Sequence, residues 1–177
     1  MFTKLDYNRK MSETDTHVYF VGGPFSQWAK SSFVQHLIDL PDLYRFNCCE
    51  QYMMASKAVL FDDMAALEAI MLSTSPSEQK SLGRTVKNFD PQIWNDRARD
   101  IVFLGNIAKF GQNPDLWDEL NATGEKYLVE GAHYDPVWGV KLAWNDPLIL
   151  DEKNWRGTNW LGEVLMRVRR YLREPSQ

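Results

Sequence analysis

The chain has 177 residues, enough for one domain with a sizeable core and no covalent staples. Apolar residues make up 44% and charged residues 25%, a balance that excludes a disordered chain, a collagen-like chain and a coiled coil. The net charge of −4 gives no global positive field to recruit nucleic acid or an anionic membrane.

Seven Trp, seven Tyr and nine Phe call for a bulky core, a cleft with stacking walls, or both. The two cysteines, Cys48 and Cys49, are neighbours and cannot staple a fold, so a reduced intracellular setting is expected. His17, His36 and His133 lack the spacing of a zinc site, and no metal or cofactor is expected. The start, MFTKLDYNRK, has no apolar stretch of a signal peptide, and no apolar run approaches the ~20 residues that span a bilayer. A cytoplasmic protein with no membrane partner is the expectation.

In chain order, residues 1–16 read as a loose N-terminal arm, and 17–177 as a single domain. His17–Val21 reads as a strand closed by Gly22-Gly23-Pro24. Ser32–Leu40 is ambiguous, with a short helix before Pro41 as one option, and Tyr44–Phe46 suggests a second strand. Asn47 followed by Glu50 has the form of a capping box that opens a helix over Cys48–Leu60. Asp62 is placed to cap a second helix through Met71. Ser75-Pro76-Ser77-Glu78 starts a short third one that fades near Gly83–Lys87. Asp90-Pro91 opens the strongest helix, with Trp94, Ala98, Ile101, Val102, Gly105 and Ala108 at helical spacing and Gly111 as C-cap. Asn113-Pro114 begins another, to about Asn121, closed by Gly124. Lys126–Glu130 and Trp138–Leu142 read as two strands around the turn His133-Tyr134-Asp135-Pro136. Asn159 caps a last amphipathic helix whose apolar face is Leu161, Val164, Leu165, Val168 and Leu172. The fold class is α+β, one helix-dominated domain with a few short strands.

The phosphate-binding, dinucleotide, nucleophile-elbow and HExxH signatures are absent. Three groups of polar residues remain. Glu50 and Lys57 lie two helical turns apart on one face, roughly 10–11 Å along the axis. The plainer account makes Glu50 a cap and Lys57 a solvated lysine, and spacing alone favours it. Glu130, Asp135 and Trp138 gather at the second expected strand pair, where two carboxylates and an indole suit protonation and stacking of a heterocycle. Simple turn chemistry accounts for Asp135-Pro136 equally well. Arg84, Lys87, Asn88, Lys109, Gln112 and Asn113 form a polar set suited to a phosphate or sugar. Against that, Lys109 suits a helix C-terminus and Asn113 an N-cap.

Read together, seven strings come in order: PFSQW at 24–28, EQYMMASKA at 50–58, LGRTVKNFD at 82–90, WNDRARDIV at 94–102, KFGQNPDL at 109–116, LVEGAHYDPVWGV at 128–140 and WRGTNWLGEVLMRVR at 155–169. This order resembles the NADAR family of YbiA-like proteins over residues 17–173. Gln27 stands where the family commonly has Asn, and GAHYDP replaces a more usual ASPxD. The resemblance implies a compact helix-rich α+β fold and an N-glycosidase that cleaves the ribose–nitrogen bond of a ribosylamine phosphate of the riboflavin pathway. The same resemblance also admits an ADP-ribosyl adduct such as ADP-ribosylated guanine, in a nucleic acid or free. It implies Glu50, Lys57, Glu130 and Asp135 as catalytic groups, with Lys57 either donating a proton or attacking C1 as a Schiff-base amine. Trp28, Arg84, Asn88 and Trp138 become the substrate-binding set. The rival from another class is a non-catalytic module that binds ADP-ribose or a related nucleotide.

Overall fold

The run His17–Phe20 is rich in β-branched and aromatic side chains and forms strand β3, which is buried on both faces: Val18, Tyr19 and Phe20 are all enclosed. The computed structural model describes residues 1–174, so the 175–177 end of the expected 17–177 domain lies outside the described residues. Two compact units divide the chain, one built from Met1–Ser26 with the segment from Asp115 onward, the other from Gln27–Pro114.

In the first unit the expected loose arm is instead ordered. Strands β1 (Lys4–Asp6) and β2 (Met11–Glu13) pair antiparallel, and β2 pairs with β3, Met11 opposite Phe20. Three-residue strands are too short to display a period of two, which hides them in the sequence. Glu13 ties the sheet together by accepting from Lys126 at 2.9 Å and facing Lys4 at 3.6 Å. Strand β6 (Tyr127–Glu130) completes the sheet parallel to β3, in the order β1-β2-β3-β6.

The expected strand Trp138–Leu142 does not form. The Trp138 backbone N–H donates to the Asp135 carboxylate at 2.8 Å and is withdrawn from any ladder. Only Val140 reaches back, donating to the Glu130 carbonyl at 3.0 Å. Residues 131–159 run as turns, two of them single 3-10 turns capped by Asp146 and Asp151. They close over a core of Tyr19, Val129, Val140, Trp144 and Ile149. Helix α5 (Pro114–Ala122) precedes β6, and helix α6 (Trp160–Arg173) packs on it through Leu161, Val164, Leu165 and Val168, with Leu172 only half-buried. Asn159 does not cap α6 with its side chain. It adopts φ 52°, and its amide clasps β6 instead, accepting from Glu130 N at 2.9 Å and donating to the Leu128 carbonyl at 2.9 Å.

In the second unit, the ambiguous stretch contains a strand, β4 (Phe33–His36), paired antiparallel with β5 (Leu43–Phe46) so that Phe33 faces Phe46. Helix α1 (Cys49–Leu60) is buried without interruption from Cys49 to Ala58. It packs against β5 and helices α2 (Met64–Leu72), α3 (Pro76–Arg84) and α4 (Pro91–Gln112). The Asn47–Glu50 capping box is absent. Cys48 is the N-cap residue, the Asn47 N–H donates to the Gln51 side chain at 2.9 Å, and Glu50 N donates to the Gln27 carbonyl at 3.0 Å. Asp63, not Asp62, caps α2 through Ala66 N, while Asp62 takes φ 55°. Ser75 and Asp90 cap α3 and α4 as their sequences indicate. Gly111 lies inside α4, whose end is closed by Asn113 donating to the Lys109 carbonyl at 2.7 Å. No described helix is long and apolar enough to cross a membrane.

Helices α1 and α4 approach closely at Gly105. A Cβ there would stand 2.5 Å from Tyr52 Cδ1, and Tyr52 is 1% exposed with its ring wedged by Phe33 and Phe46. Gly105→Ala gains about 0.5–1 kcal/mol of helix propensity but overpacks a site that cannot yield, at about 1–3 kcal/mol. Net destabilisation of about 1–2 kcal/mol is expected in denaturant unfolding; an unchanged midpoint would show that the ring moves freely.

Candidate active site

Two of the expected residues meet the solvent-shielded interior of α1. Glu50 is 5% exposed and Lys57 9%, an unusual burial for charged side chains in a helix this short. Lys57 does not sit solvated on the surface. Its Nζ donates to the Gly83 carbonyl at 2.8 Å, one of the last carbonyls of α3 that has no partner within its own helix. The Phe89 ring covers the same ammonium at 4.1 Å, and Trp94 stands at 5.5 Å. Burial lowers the Lys57 pKa below the usual lysine range.

Gly83 is there because α1 and α3 touch: a Cβ at this position would collide with the Met54 side chain. The link from α3 to α4 then wraps around Lys57. Arg84 follows Gly83 and is exposed. Asn88 takes φ 55° and donates to the Phe61 carbonyl at 3.4 Å, which turns the chain so that Phe89 packs edge-on to Phe61 at 5.3 Å. Asp63 clamps the same link by accepting from Lys87 N at 2.9 Å, and these backbone amides hold its carboxyl below the usual range. Arg84 and Asn88 thus adjoin in sequence the two groups that hold Lys57, the Gly83 carbonyl and the Phe89 ring, and Gly83, Phe89 and Trp94 are companions of the amine that sequence reasoning did not select. Trp94, which opens the periodic face of α4, is half-buried beside the amine.

Glu50 has a different setting. Gln27 accepts from its backbone N–H, and the Gln27 side-chain oxygen accepts from Asn106 of α4 at 3.1 Å. The residue after Gln27, Trp28, is 45% exposed, with Lys80 Nζ 6.0 Å from its ring. Cys48 and Cys49 immediately precede Glu50, and burial pushes both thiols up, Cys49 to about 12.

The polar set proposed as a phosphate or sugar receptor divides. Gln112 binds both backbone groups of Val34, at 2.9 and 2.7 Å, and Asn113 donates to the Ser32 carbonyl at 3.1 Å, so both serve the hairpin. Lys109 is fully buried rather than solvated at a helix end.

In the first unit Glu130, Asp135 and Trp138 do come together, at the end of β6 and the start of α6. Asp135 accepts from Val137 N at 2.9 Å and from Trp138 N at 2.8 Å, the turn chemistry that its sequence equally suggested. Trp138 is half-buried and meets Trp160 edge-on at 5.7 Å. Glu130 is half-buried, its N–H held by Asn159. A separate cleft of about 180 Å³ in this unit is lined by Arg9, Met11, Glu13, Phe25, Glu119 and Thr123 among others and contains none of the expected residues. Among the described residues, no three His, Cys, Asp or Glu side chains gather as a metal site.

Residues 17–173 match the family model of the NADAR domain. The chain is 41% identical over 165 residues to N-glycosidase R617 of Acanthamoeba polyphaga mimivirus, covering 89% of this chain and 96% of that protein. It is 30% identical over 127 residues to a riboflavin biosynthesis protein of Vibrio vulnificus, covering 72% of this chain and 31% of that longer protein. The NMR structure of the E. coli protein YbiA superposes with a TM-score of 0.70 at 25% identity, over 93% of this chain and 89% of that one.

The roof over Lys57 is testable by itself. Phe89→Ala admits water to the ammonium and removes the burial that lowers its pKa, so the Lys57 pKa rises toward the ordinary lysine value. NMR titration of the labelled Lys57 side chain checks this; an unmoved titration would mean that Phe89 does not shield the amine.

Proposed function

The chain belongs to the NADAR domain family and is an enzyme of the N-glycosidase class, and on that premise we propose that it cleaves the bond between ribose C1 and nitrogen in a phosphorylated ribosyl substrate. That substrate is a ribosylamine phosphate of the riboflavin pathway or an ADP-ribosyl adduct such as ADP-ribosylated guanine. The kinship with a riboflavin biosynthesis protein supports the first.

The observation that carries the reading is the Lys57 amine, held by the Gly83 carbonyl and shielded by Phe89, two turns along α1 from the buried carboxylate Glu50. A pure helix-capping lysine has no need of a partner acid on the same helix, nor of an aromatic roof. As the C1–N bond breaks, its electron pair leaves with the nitrogen and positive charge grows on the ribose ring. Lys57, made more acidic by burial, gives its proton to the departing nitrogen. Glu50 offsets the ring charge electrostatically. A water oxygen then bonds to C1 and its proton returns to the Lys57 amine, closing the cycle as a hydrolysis. Arg84 receives the phosphate and Trp28 offers the base a stacking face, with Asn88 shaping the link between them. The alternative within the reading makes Glu130 the carboxylate near C1, with Asp135 orienting substrate or water and Trp138 stacking on the base.

A substrate panel read by mass spectrometry, with riboflavin intermediates beside ADP-ribosylated guanosine and DNA, tests the reading. Released ribose phosphate or ADP-ribose supports it; tight binding of ADP-ribose with no product would instead favour the non-catalytic module. On the substrate that is cut, Glu50→Gln and Lys57→Ala each lower turnover by about 10²–10⁴-fold while the circular dichroism spectrum stays that of a folded chain. The Lys57 proton must be present for the step, so activity falls as pH rises through a pKa that lies below the usual lysine range. Full turnover in Lys57→Ala removes the amine from the mechanism.

A further inference from the structure

Gln27 and Asn106 are enclosed amides of the second unit, 9% and 0% exposed, and the mechanism above uses neither side chain. The Asn106 nitrogen donates to the Val102 carbonyl at 2.8 Å and to the Gln27 side-chain oxygen at 3.1 Å. The first bond fixes which end of the Asn106 amide is nitrogen, and the second then fixes the Gln27 amide. Two amides that only tether a loop to a helix can close a second bond between the remaining nitrogen and oxygen. That bond is not made. Gln27 Nε2 and Asn106 Oδ1 are shut from solvent and have no hydrogen-bond partner among the described residues. A buried donor and a buried acceptor left open on two linked amides are costly to the fold, and such atoms call for a partner.

The pair stands at the start of α1. The Gln27 carbonyl accepts from Glu50 N at 3.0 Å, and the residue after Gln27 is Trp28, 45% exposed. One open donor and one open acceptor on neighbouring amides suit a group that carries an acceptor and a donor on adjacent atoms. The lactam edge of a heterocyclic base, a ring C=O beside a ring N–H, has that form. A pyrimidinone base and guanine share it.

We propose that Gln27 and Asn106 read the base of the substrate: Gln27 Nε2 donates to the lactam carbonyl, and Asn106 Oδ1 accepts from the lactam N–H. The assignment rests on the reading of the chain as an N-glycosidase whose site lies along α1. A ligand reaches the two atoms only as the cover over them moves, and its edge then completes both amides at once. A base without that edge leaves both unpaired, which makes the pair a determinant of specificity.

Calorimetric binding to the wild-type chain uses two pairs of probes. Diaminouracil is set beside its form methylated on both ring nitrogens, and guanosine beside its form methylated on the lactam nitrogen. Whichever parent binds, pyrimidine or purine, names the source of the edge. That parent binds about tenfold or more tighter than its methylated form. Gln27→Met and Asn106→Leu keep the shape while removing the open donor or the open acceptor, and each flattens the preference. No binding of either parent, equal affinity for parent and methylated forms in the wild type, or a preference that survives in both variants overturns the assignment. Melting gives a readout that needs no ligand. The double variant replaces both amides by apolar side chains of like shape, so it melts at or above the wild type. A double variant that melts well below it, or does not fold, marks the pair as a structural tether and overturns the assignment. Where no glycoside is cleaved yet the wild type keeps its preference for the parent base, the hydrolytic reading fails and recognition by Gln27 and Asn106 stands. Where a substrate is cleaved and both single variants leave KM unchanged, the hydrolytic reading stands and the assignment fails.

Discussion

Helix α1 is enclosed along its length, and its polar side chains must be satisfied by protein rather than by water. Gln51 is answered by three carbonyls at the end of α2, those of Ile70, Met71 and Ser73, Lys57 by a carbonyl at the end of α3, and the Glu50 N–H by Gln27. Each of these contacts fixes the position of a neighbouring element. The requirement that a buried donor find its acceptor therefore sets where α2 stops, where α3 ends and how the loop before β4 lies. Close approach at Gly83 and Gly105 makes the arrangement possible, because larger residues there would hold α3 and α4 away from α1.

Helix starts were the most legible features of the chain. Ser75 and Asp90 announce α3 and α4 through short-range hydrogen bonds to the next few residues, and such bonds depend on local sequence alone. Asn47 and Asn159 carry the same signal and do something else. Asn159 meets β6, and Asn47 donates to the Ser73 carbonyl while accepting from Gln79. A short polar side chain binds whichever backbone group tertiary packing delivers, and no local pattern reveals that choice. The strands suffered likewise. Trp138–Leu142 has the residue types of a strand, yet one carboxylate, that of Asp135, diverts its first amide.

For the site, the residue types pointed correctly to an acid and an amine on one helix face, but burial gave them their chemical character. A lysine in the last turn of an alanine- and methionine-bearing helix reads as solvated until its surroundings are known. Phe89 escaped notice because it lies in a link between helices, thirty-two residues from the amine that it covers. Lys109 looked like an ordinary residue at a helix terminus, since lysine there complements the helix dipole whether exposed or not. Its enclosure follows from how α4 crosses the start of α1.

Gln112 carries a consequence beyond the site. Its amide takes both the N–H and the C=O of Val34, the hydrogen-bonding groups of β4 that would otherwise be offered to an added strand. A two-stranded hairpin rich in Phe, Val, Leu and Tyr is by composition a template on which a second chain can pair and grow a cross-β assembly. One side chain from α4 closes that template while its own helix remains regular. At Val34 the Gln112 amide thus stands where the backbone of a further strand would pair, an internal mimic of that strand at one position of the hairpin.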